Sequence, residues 1–289
     1  MKPIWTARLG DSPLVATAIH DGHTVRADVA CHLALSEPER LQEEDPYTGA
    51  WTEIADTTIV GLHSRFEVDL NRPRDKAVYR KPEDAWGLQV WKDELPDDVA
   101  ALSLFEYDSF YEETRRILQE VERRHGRFFL FDLHTYNHRR EGPDGPEADA
   151  EANPEVNIGT GTVDRALWGP VVDRFLLELK RFDFGGRSLD VRENVKFKGG
   201  HLSRWTHESF PQTGCAVAIE FKKTFMDEWT GRLDAAHHGR ILEALRSTVP
   251  GVLEELSRLP PLPKTAPAGP GVGAPPARRP GRPRRVRVS

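Results

Sequence analysis

The 289-residue chain contains only two cysteines, Cys31 and Cys215, which lie far apart and form no CxxC pair. Disulfide frameworks need several cysteines and thiolate zinc sites need closely spaced ones, so both are excluded. No apolar run approaches the roughly 20 residues that cross a bilayer. The first residues, MKPIWTARLGDS, contain no apolar signal-peptide core, which predicts a cytoplasmic protein without a membrane partner.

Signatures of several common enzyme classes are missing as well. The chain has no GxSxG nucleophile elbow and no P-loop, and GTGTVD lacks the spacing of a dinucleotide fingerprint. The composition is that of an ordinary globular protein, with 38% hydrophobic residues, 30% charged residues and seven Trp. A chain of this length can bury a sizeable core within one large domain.

Basic residues are concentrated at the C-terminus. Residues 259–289 hold seven Lys or Arg, nine of the 22 prolines and no acid, and without them the net charge changes from -6 to -13. We therefore predict a domain at 1–258 and a disordered tail at 259–289. The tail lacks the aromatic residues that stack on bases and the body is acidic, so nucleic acid is not an expected partner. The oligomeric state stays open.

Strand and helix patterns alternate along the body. Strands are predicted at 14–19, 58–62 and 65–70, from residue 128, within 192–205, and from 215 to Glu220. Helices are predicted at 36–45 with Ser36 as N-cap, at 107–124, at 163–181 and at 234–256, while 76–104 and 142–156 are expected to be loops. This alternation predicts an α/β fold with a mostly parallel mixed sheet and helices on both faces.

Unusual polar side chains stand where three of these strands end. FLFDLHTYNHRR, residues 128–139, runs from a buried strand straight into His134, while His20 follows LVATAI and Glu220 follows VAI. The carboxyl ends of parallel strands meet at one edge of a sheet, where α/β proteins place their ligands. Two His and a carboxylate suit a catalytic zinc, although a single His is more often a surface or core residue.

Six motifs in the same order resemble the N-formylglutamate amidohydrolase family, which is related in fold to the zinc carboxypeptidases and the aspartoacylases. They are IHDG (19–22), VDLNRP (68–73), DLHTYN (132–137), NIGTG (157–161), FKGGH (197–201) and AIEFKKTFMDE (218–228). The resemblance runs from about residue 14 to 230. It implies a single domain like that of the zinc carboxypeptidases and a zinc-dependent hydrolase that cuts an amide bond beside a free carboxylate.

The resemblance also assigns roles to residues around the metal. His20 and His134 become zinc ligands, and the third ligand is an acid within QEEDPYTGAW, either Glu44 or Asp45. Asp45 before Pro46 equally fits a helix N-cap with a first-turn proline. Glu220 becomes the general base that takes the proton of the attacking water, and Asp132 is expected to orient His134 from behind.

Four further residues are expected to bind the substrate. Arg72 offers a planar fork for a carboxylate, Asn71 adds a neutral donor beside it, and both resemble the carboxylate-binding pair of carboxypeptidases. Arg65 is expected at the polarised carbonyl or the carboxylate, and Lys198 before two glycines can approach a ligand closely.

The substrate class remains broad at this level. The family has Pro where this chain has Ile19 and Gln where it has Ala218. Three further segments would shape substrate choice: DEWTG (227–231), the acidic insert 142–156 and the Trp-bearing stretch 86–91. An N-formyl or larger N-acyl amino acid, a γ-glutamyl-type amide and a peptide C-terminus all fit. The alternative is a non-catalytic protein that keeps the hydrolase fold and binds a peptide or nucleic acid.

Overall fold

A seven-stranded mixed sheet forms the centre of the computed structural model, which describes residues 3–262. The strands are β1 (Trp5–Arg8), β2 (Leu14–Ala18), β3 (Thr57–Gly61), β4 (Phe128–Tyr136), β5 (Val156–Gly159), β6 (Val191–Glu193) and β7 (Gly214–Lys222). Their order across the sheet is β1-β3-β2-β4-β7-β5-β6. β2 pairs in parallel with β3 and β4, β4 with β7, and β5 with β6, while β1–β3 and β5–β7 are antiparallel. The predicted mostly parallel sheet is confirmed.

Helices cover both faces of this sheet. They are α1 (Ala27–Ala30), α2 (Glu37–Glu43), α3 (Thr48–Trp51), α4 (Asp97–His125), α5 (Arg165–Arg181), α6 (His201–Ser209) and α7 (Ala235–Arg258), with short 3-10 turns at Thr52–Ile54, Arg74–Lys76 and Pro82–Ala85. Alternate side chains of β4 point to opposite faces, as in any strand. Phe129 and Phe131 pack in the core that contains α5 and α7, whereas Phe128 and Leu130 pack beneath α4.

β4 shows why a continuous apolar run ends at the site. All nine of its residues are buried, because the strand lies inside the sheet with helices on both faces. Parallel strands in that position read as uninterrupted apolar stretches, so their first polar residues mark the open edge. The strand reaches Tyr136, and its last three residues, from His134 onward, therefore belong to the edge that carries the site.

Local signals at the helix ends are confirmed where side chains form the cap. Ser36 and Glu39 form a capping box at the start of α2, and Asp234 accepts from two backbone amides at the start of α7.

Two predictions of secondary structure are wrong. Residues 65–70 form turns rather than a strand, because Asp69 folds inward and accepts the amide of Asn71 at 2.9 Å. α4 begins at Asp97, inside the segment that was predicted to be a loop.

The predicted tail, residues 259–289, lies outside the described residues from residue 263 onward. Its disorder and the domain boundary at 258 therefore stay predictions. Among residues 3–262, none of the helices combines the length and the apolarity required to span a bilayer. The cytoplasmic location stays a prediction too.

Candidate metal centre and active site

Three of the predicted site residues meet at the carboxyl edge of neighbouring strands. His20 follows β2, His134 lies near the end of β4, and Glu220 lies near the end of β7. His134 and Glu220 stand directly opposite each other in the parallel register of β4 and β7. β2 is the other neighbour of β4, so His20 comes to the same edge from the opposite side.

Asp45 completes a compact group with the two histidines. Its Oδ2 lies 3.0 Å from His134 Nδ1 and 3.5 Å from His20 Nδ1. One donor atom from each of the three residues fits within 4.8 Å of the others, and all three side chains are buried. Thr135 donates its hydroxyl to Asp45 Oδ1 at 2.9 Å, which leaves Oδ2 facing the imidazoles.

Glu44, the other candidate for the third ligand, lies outside this group. Its buried carboxylate contacts His23 Nδ1 at 2.5 Å, accepts the hydroxyl of Ser64 and lies 3.6 Å from Arg40. The structure thus brings Asp45 and not Glu44 to His20 and His134. The two acids diverge because the extended backbone at Glu44 (φ -79°, ψ 172°) sends consecutive side chains in opposite directions.

A second layer of carboxylates holds the far nitrogens of both imidazoles. His20 Nε2 lies 2.8 Å from Asp69 Oδ1, and His134 Nε2 lies 3.1 Å from Asp132 Oδ1. Such contacts orient metal-binding histidines and fix which nitrogen faces the ion. Asp132 was expected in this role. Asp69 was missed, although it stands inside the motif VDLNRP, next to the residues that were assigned to the substrate.

The electrostatics of the group suit a cation. Burial lowers the pKa of His134, but Asp132 and Asp45 outweigh it and hold that pKa well above its usual range. For Asp45 the direction is reversed: burial raises the pKa of the carboxyl, but the two imidazoles outweigh burial and bring that pKa well below its usual range. Three buried carboxylates, those of Asp45, Asp69 and Asp132, thus contact the two imidazoles. Two nitrogen donors and one oxygen donor are a ligand set that zinc commonly takes, so these residues fit a metal ion.

Glu220 faces the same space but has a different environment. Burial raises the pKa of its carboxyl from the ordinary 4.5 to about 7; Asp45 and Asp132 add to the rise, and His134 opposes it. Within residues 3–262, no side chain or backbone group forms a hydrogen bond or ion pair with its carboxylate. A carboxyl group that titrates near neutral pH and has no fixed partner is suited to exchange protons.

These groups open into one cavity of about 400 Å³. Glu44 and Asp132, which were predicted for the site, do not line it, whereas eight other predicted residues do: His20, Asp45, Arg65, Asn71, Arg72, His134, Lys198 and Glu220. Trp86, from the stretch that was expected to shape substrate choice, lines the cavity as well. Its walls also include residues that the sequence had not singled out, among them Tyr136, Arg140, Lys196 and Phe197. The structure thus brings residues from distant parts of the chain to one cavity.

Arg65 and Arg72 form the cationic side of the cavity. Both contact Asp69 Oδ2, at 2.8 Å from Arg65 Nη2 and 3.4 Å from Arg72 Nε. The ring of Trp86 lies 4.8 Å from the guanidinium of Arg65 and 5.7 Å from that of Arg72. Asp69 already faces His20 and accepts the hydroxyl of Tyr79, so one carboxylate serves two guanidinium groups and leaves them able to take a second anion.

Asn71 and Lys198 have different surroundings. The Asn71 amide nitrogen lies 3.3 Å from His134 Nε2, and its oxygen accepts the amide of Leu202 at 3.0 Å, so this side chain supports the site from behind. Lys198 is exposed at the cavity wall. Its backbone is fixed, since its carbonyl accepts the Gly161 amide at 2.8 Å and a Cβ at Gly159 would meet Gly199 N at 2.4 Å.

Lys223 also belongs to the site, although the sequence analysis did not single it out. It is 1% exposed and lines the cavity. Its ammonium group donates to the carbonyls of Gln42 at 2.5 Å and Glu44 at 2.7 Å. No feature of the sequence FKKTF distinguishes Lys223 from Lys222, because the contact depends on a loop about 180 residues earlier in the chain.

Comparison with solved structures supports the fold. N-formylglutamate amidohydrolase from Ralstonia eutropha JMP134 aligns with a TM-score of 0.67 at 17% identity, over 88% of this chain and 98% of that one. A gene product of Agrobacterium tumefaciens aligns with a TM-score of 0.62 at 16% identity, over 89% of this chain and 97% of that one. No match was found among curated proteins.

The family model described as N-formylglutamate amidohydrolase matches residues 12–226, which hold all the predicted site residues. Together with the fold, this defines an amide-bond hydrolase built on a mixed α/β sheet. The chain belongs to the N-formylglutamate amidohydrolase family.

Proposed function

We propose that this chain is a zinc-dependent hydrolase that cleaves an amide bond next to a free carboxylate. One observation carries the proposal: His20 Nδ1, His134 Nδ1 and Asp45 Oδ2 converge beside the unpaired carboxyl of Glu220, in the cavity that Arg65 and Arg72 line. The candidate ligands, the candidate base and the anion-binding groups thus line the same cavity.

His20, Asp45 and His134 would hold the metal. When bound, zinc polarises the scissile carbonyl and makes water a better nucleophile at neutral pH. Asp69 and Asp132 keep the far nitrogen of each imidazole engaged, so that the near nitrogen is directed to the ion. Thr135 fixes the orientation of the Asp45 carboxylate in the same way.

Glu220 would act as the general base and then as the general acid. Its carboxylate takes a proton from the attacking water and passes it to the leaving nitrogen, which must be protonated before the C–N bond breaks. A pKa of about 7 suits both halves of this task, because the group is readily ionised and readily protonated near neutral pH.

Arg72 and Arg65 would bind the free carboxylate of the substrate. A guanidinium group pairs with a carboxylate through two parallel hydrogen bonds, which fixes the substrate's position as well as its charge. A cavity of about 400 Å³ is in the range of small-molecule sites. N-formyl and other N-acyl amino acids, γ-glutamyl-type amides and peptide C-termini are the substrates in question.

Metal analysis of the purified protein tests this proposal. We expect about one zinc per chain, and we expect His134→Ala to lose both the zinc and the hydrolysis of N-acyl amino acids. A panel of N-formyl, N-acetyl and γ-glutamyl substrates, each with and without the free carboxylate, would define the class. A metal-free protein whose ligand affinity is unchanged by His134→Ala would instead support the non-catalytic binder.

A further inference from the structure

Three of the four central site residues owe their position to the sheet, and one does not. His20, His134 and Glu220 lie on strands or directly after them, where the ladder of backbone hydrogen bonds fixes them. Asp45 lies in the short connection between α2 and α3. A loop residue needs other contacts before it can hold a metal within the narrow limits that coordination requires.

The connection before Asp45 is the C-terminal end of α2, where the last backbone carbonyls lack helical partners. Two cationic side chains donate hydrogen bonds to three consecutive carbonyls there. Lys223 donates to Gln42 O at 2.5 Å and to Glu44 O at 2.7 Å, and Arg65 donates to Glu43 O at 3.2 Å. A positive charge at this end also complements the helix dipole.

Lys223 links the connection between α2 and α3 to β7, the strand that carries Glu220. It follows Glu220 by three residues, and its own amide donates to the carbonyl of Tyr136 at 3.0 Å, which extends the pairing of β4 and β7 by one step. Its side chain is buried, so the ammonium group forms hydrogen bonds with the carbonyls of Gln42 and Glu44 in place of water. The end of β7 therefore holds the connection in place from one side, while the Asp45 amide donates to the carbonyl of His20 at 2.9 Å on the other.

We propose that Lys223 is a positioning residue, which sets the metal affinity of the centre by fixing the backbone on which Asp45 is carried. This inference rests on the proposed function, since it assigns a role toward the metal. Groups behind a ligand typically change metal affinity 10–100-fold when they are removed. Lys223 acts on the backbone of the ligand rather than on its side chain, which distinguishes it from Asp69 and Asp132.

Lys223→Met tests the proposal because it keeps an unbranched side chain that is one atom shorter and removes the ammonium group. Zinc dissociation constants of the full-length wild type and the variant are measured by competition with a chromophoric chelator. We expect Lys223→Met to weaken zinc binding about 10–100-fold, and we expect the Co²⁺ absorption spectrum to change, since it reports the geometry of the ligands. Lys222→Met, which removes the same charge from the neighbouring half-buried residue, should leave both unchanged.

Thermal unfolding separates positioning from stability alone. A purely structural role would lower the melting temperature equally with zinc and with chelator, and would leave the zinc affinity unchanged; a positioning role also diminishes the rise that zinc produces. Equal zinc affinity in wild type and Lys223→Met overturns the inference. If that variant is insoluble, Lys223→Gln keeps one donor and should weaken binding to a smaller extent, and unchanged affinity there is equally decisive. A wild type that binds no zinc overturns the proposed function itself.

Discussion

Glu220→Gln is expected to stabilise the metal-free protein while it removes most of the hydrolysis. The pKa of the carboxyl is raised from 4.5 to about 7, first by burial and then by Asp45 and Asp132. In the unfolded chain the group ionises near 4.5, so above pH 7 the folded protein carries a buried charge that the unfolded chain bears at no cost. Gln has the same shape and no charge.

The size of the effect follows from that difference. At about 1.36 kcal/mol per pH unit, a pKa of about 7 against 4.5 corresponds to about 3 kcal/mol. The carboxylate is partly exposed to water in the cavity, which screens its charge, and we expect a gain of about 1–3 kcal/mol for Glu220→Gln at pH 8. The gain should fall through the window from about 7 to 4.5 and vanish below it.

Catalysis should change in the opposite direction. Loss of a general base typically costs about 10²–10⁴-fold in rate, or about 3–5 kcal/mol of activation free energy. Gln lacks a group that can take the proton of the attacking water, yet none of the three proposed metal ligands is altered. Zinc content should therefore stay at the wild-type level.

Urea unfolding with chelator present, followed by Trp fluorescence at pH 8 and pH 4.5, measures the stability. Turnover of an N-acyl amino acid by the zinc-loaded protein measures the catalysis. Glu53→Gln, which removes a surface carboxylate paired with Arg246, serves as the control and should change stability by less than about 0.5 kcal/mol. A Glu220→Gln protein that is no more stable than wild type at pH 8, or that keeps a tenth of the activity, would refute the reasoning.

Three other outcomes are expected. Arg72→Lys should lower kcat/KM for substrates with a free carboxylate about tenfold or more, chiefly through KM, and should hardly affect the matching amides; equal losses on both would contradict carboxylate binding. Asp132→Asn should weaken zinc binding about 10–100-fold in a chelator competition, and unchanged affinity would remove its role behind His134. Burial lowers the pKa of His207 to about 4. The free energy of unfolding should therefore fall by about 2–3 kcal/mol as pH falls from 6.5 to 4, because only the unfolded chain takes up the proton of this imidazole in that window. His207→Gln should flatten this dependence in denaturant titrations at pH 7.5 and 4.5, and an equally steep one would point to other groups.

The pattern of strands predicted the placement of the site because each strand end is a local signal. LVATAI before His20 and FLFDL before His134 are short apolar runs, and such runs belong to strands buried on both faces. His20 and His134, which follow these runs, therefore lie at the open edge of the sheet. Caps such as Ser36 are equally local, since the partner is three residues away.

The choice between Glu44 and Asp45 had no local answer. Both are acids in a connection, and the backbone at Glu44 that separates their side chains is held by a hydrogen bond from Lys223, which lies 179 residues later in the chain. The same holds for Asp69, which reaches His20 across 49 residues of chain, and for Lys223, which reaches Gln42 across 181.

The sequence by itself thus determined the central strands β2, β3, β4 and β7 and the polar residues that stand at their ends, because these depend on contacts within a few residues. The short strands β1 and β5 and the helix α6 were not predicted. Only the tertiary structure decided which acid faces the two imidazoles, which lysine is buried and how far the pKa of Glu220 rises. Burial and side-chain direction depend on segments that are distant in the chain and come together only when the sheet and its helices pack.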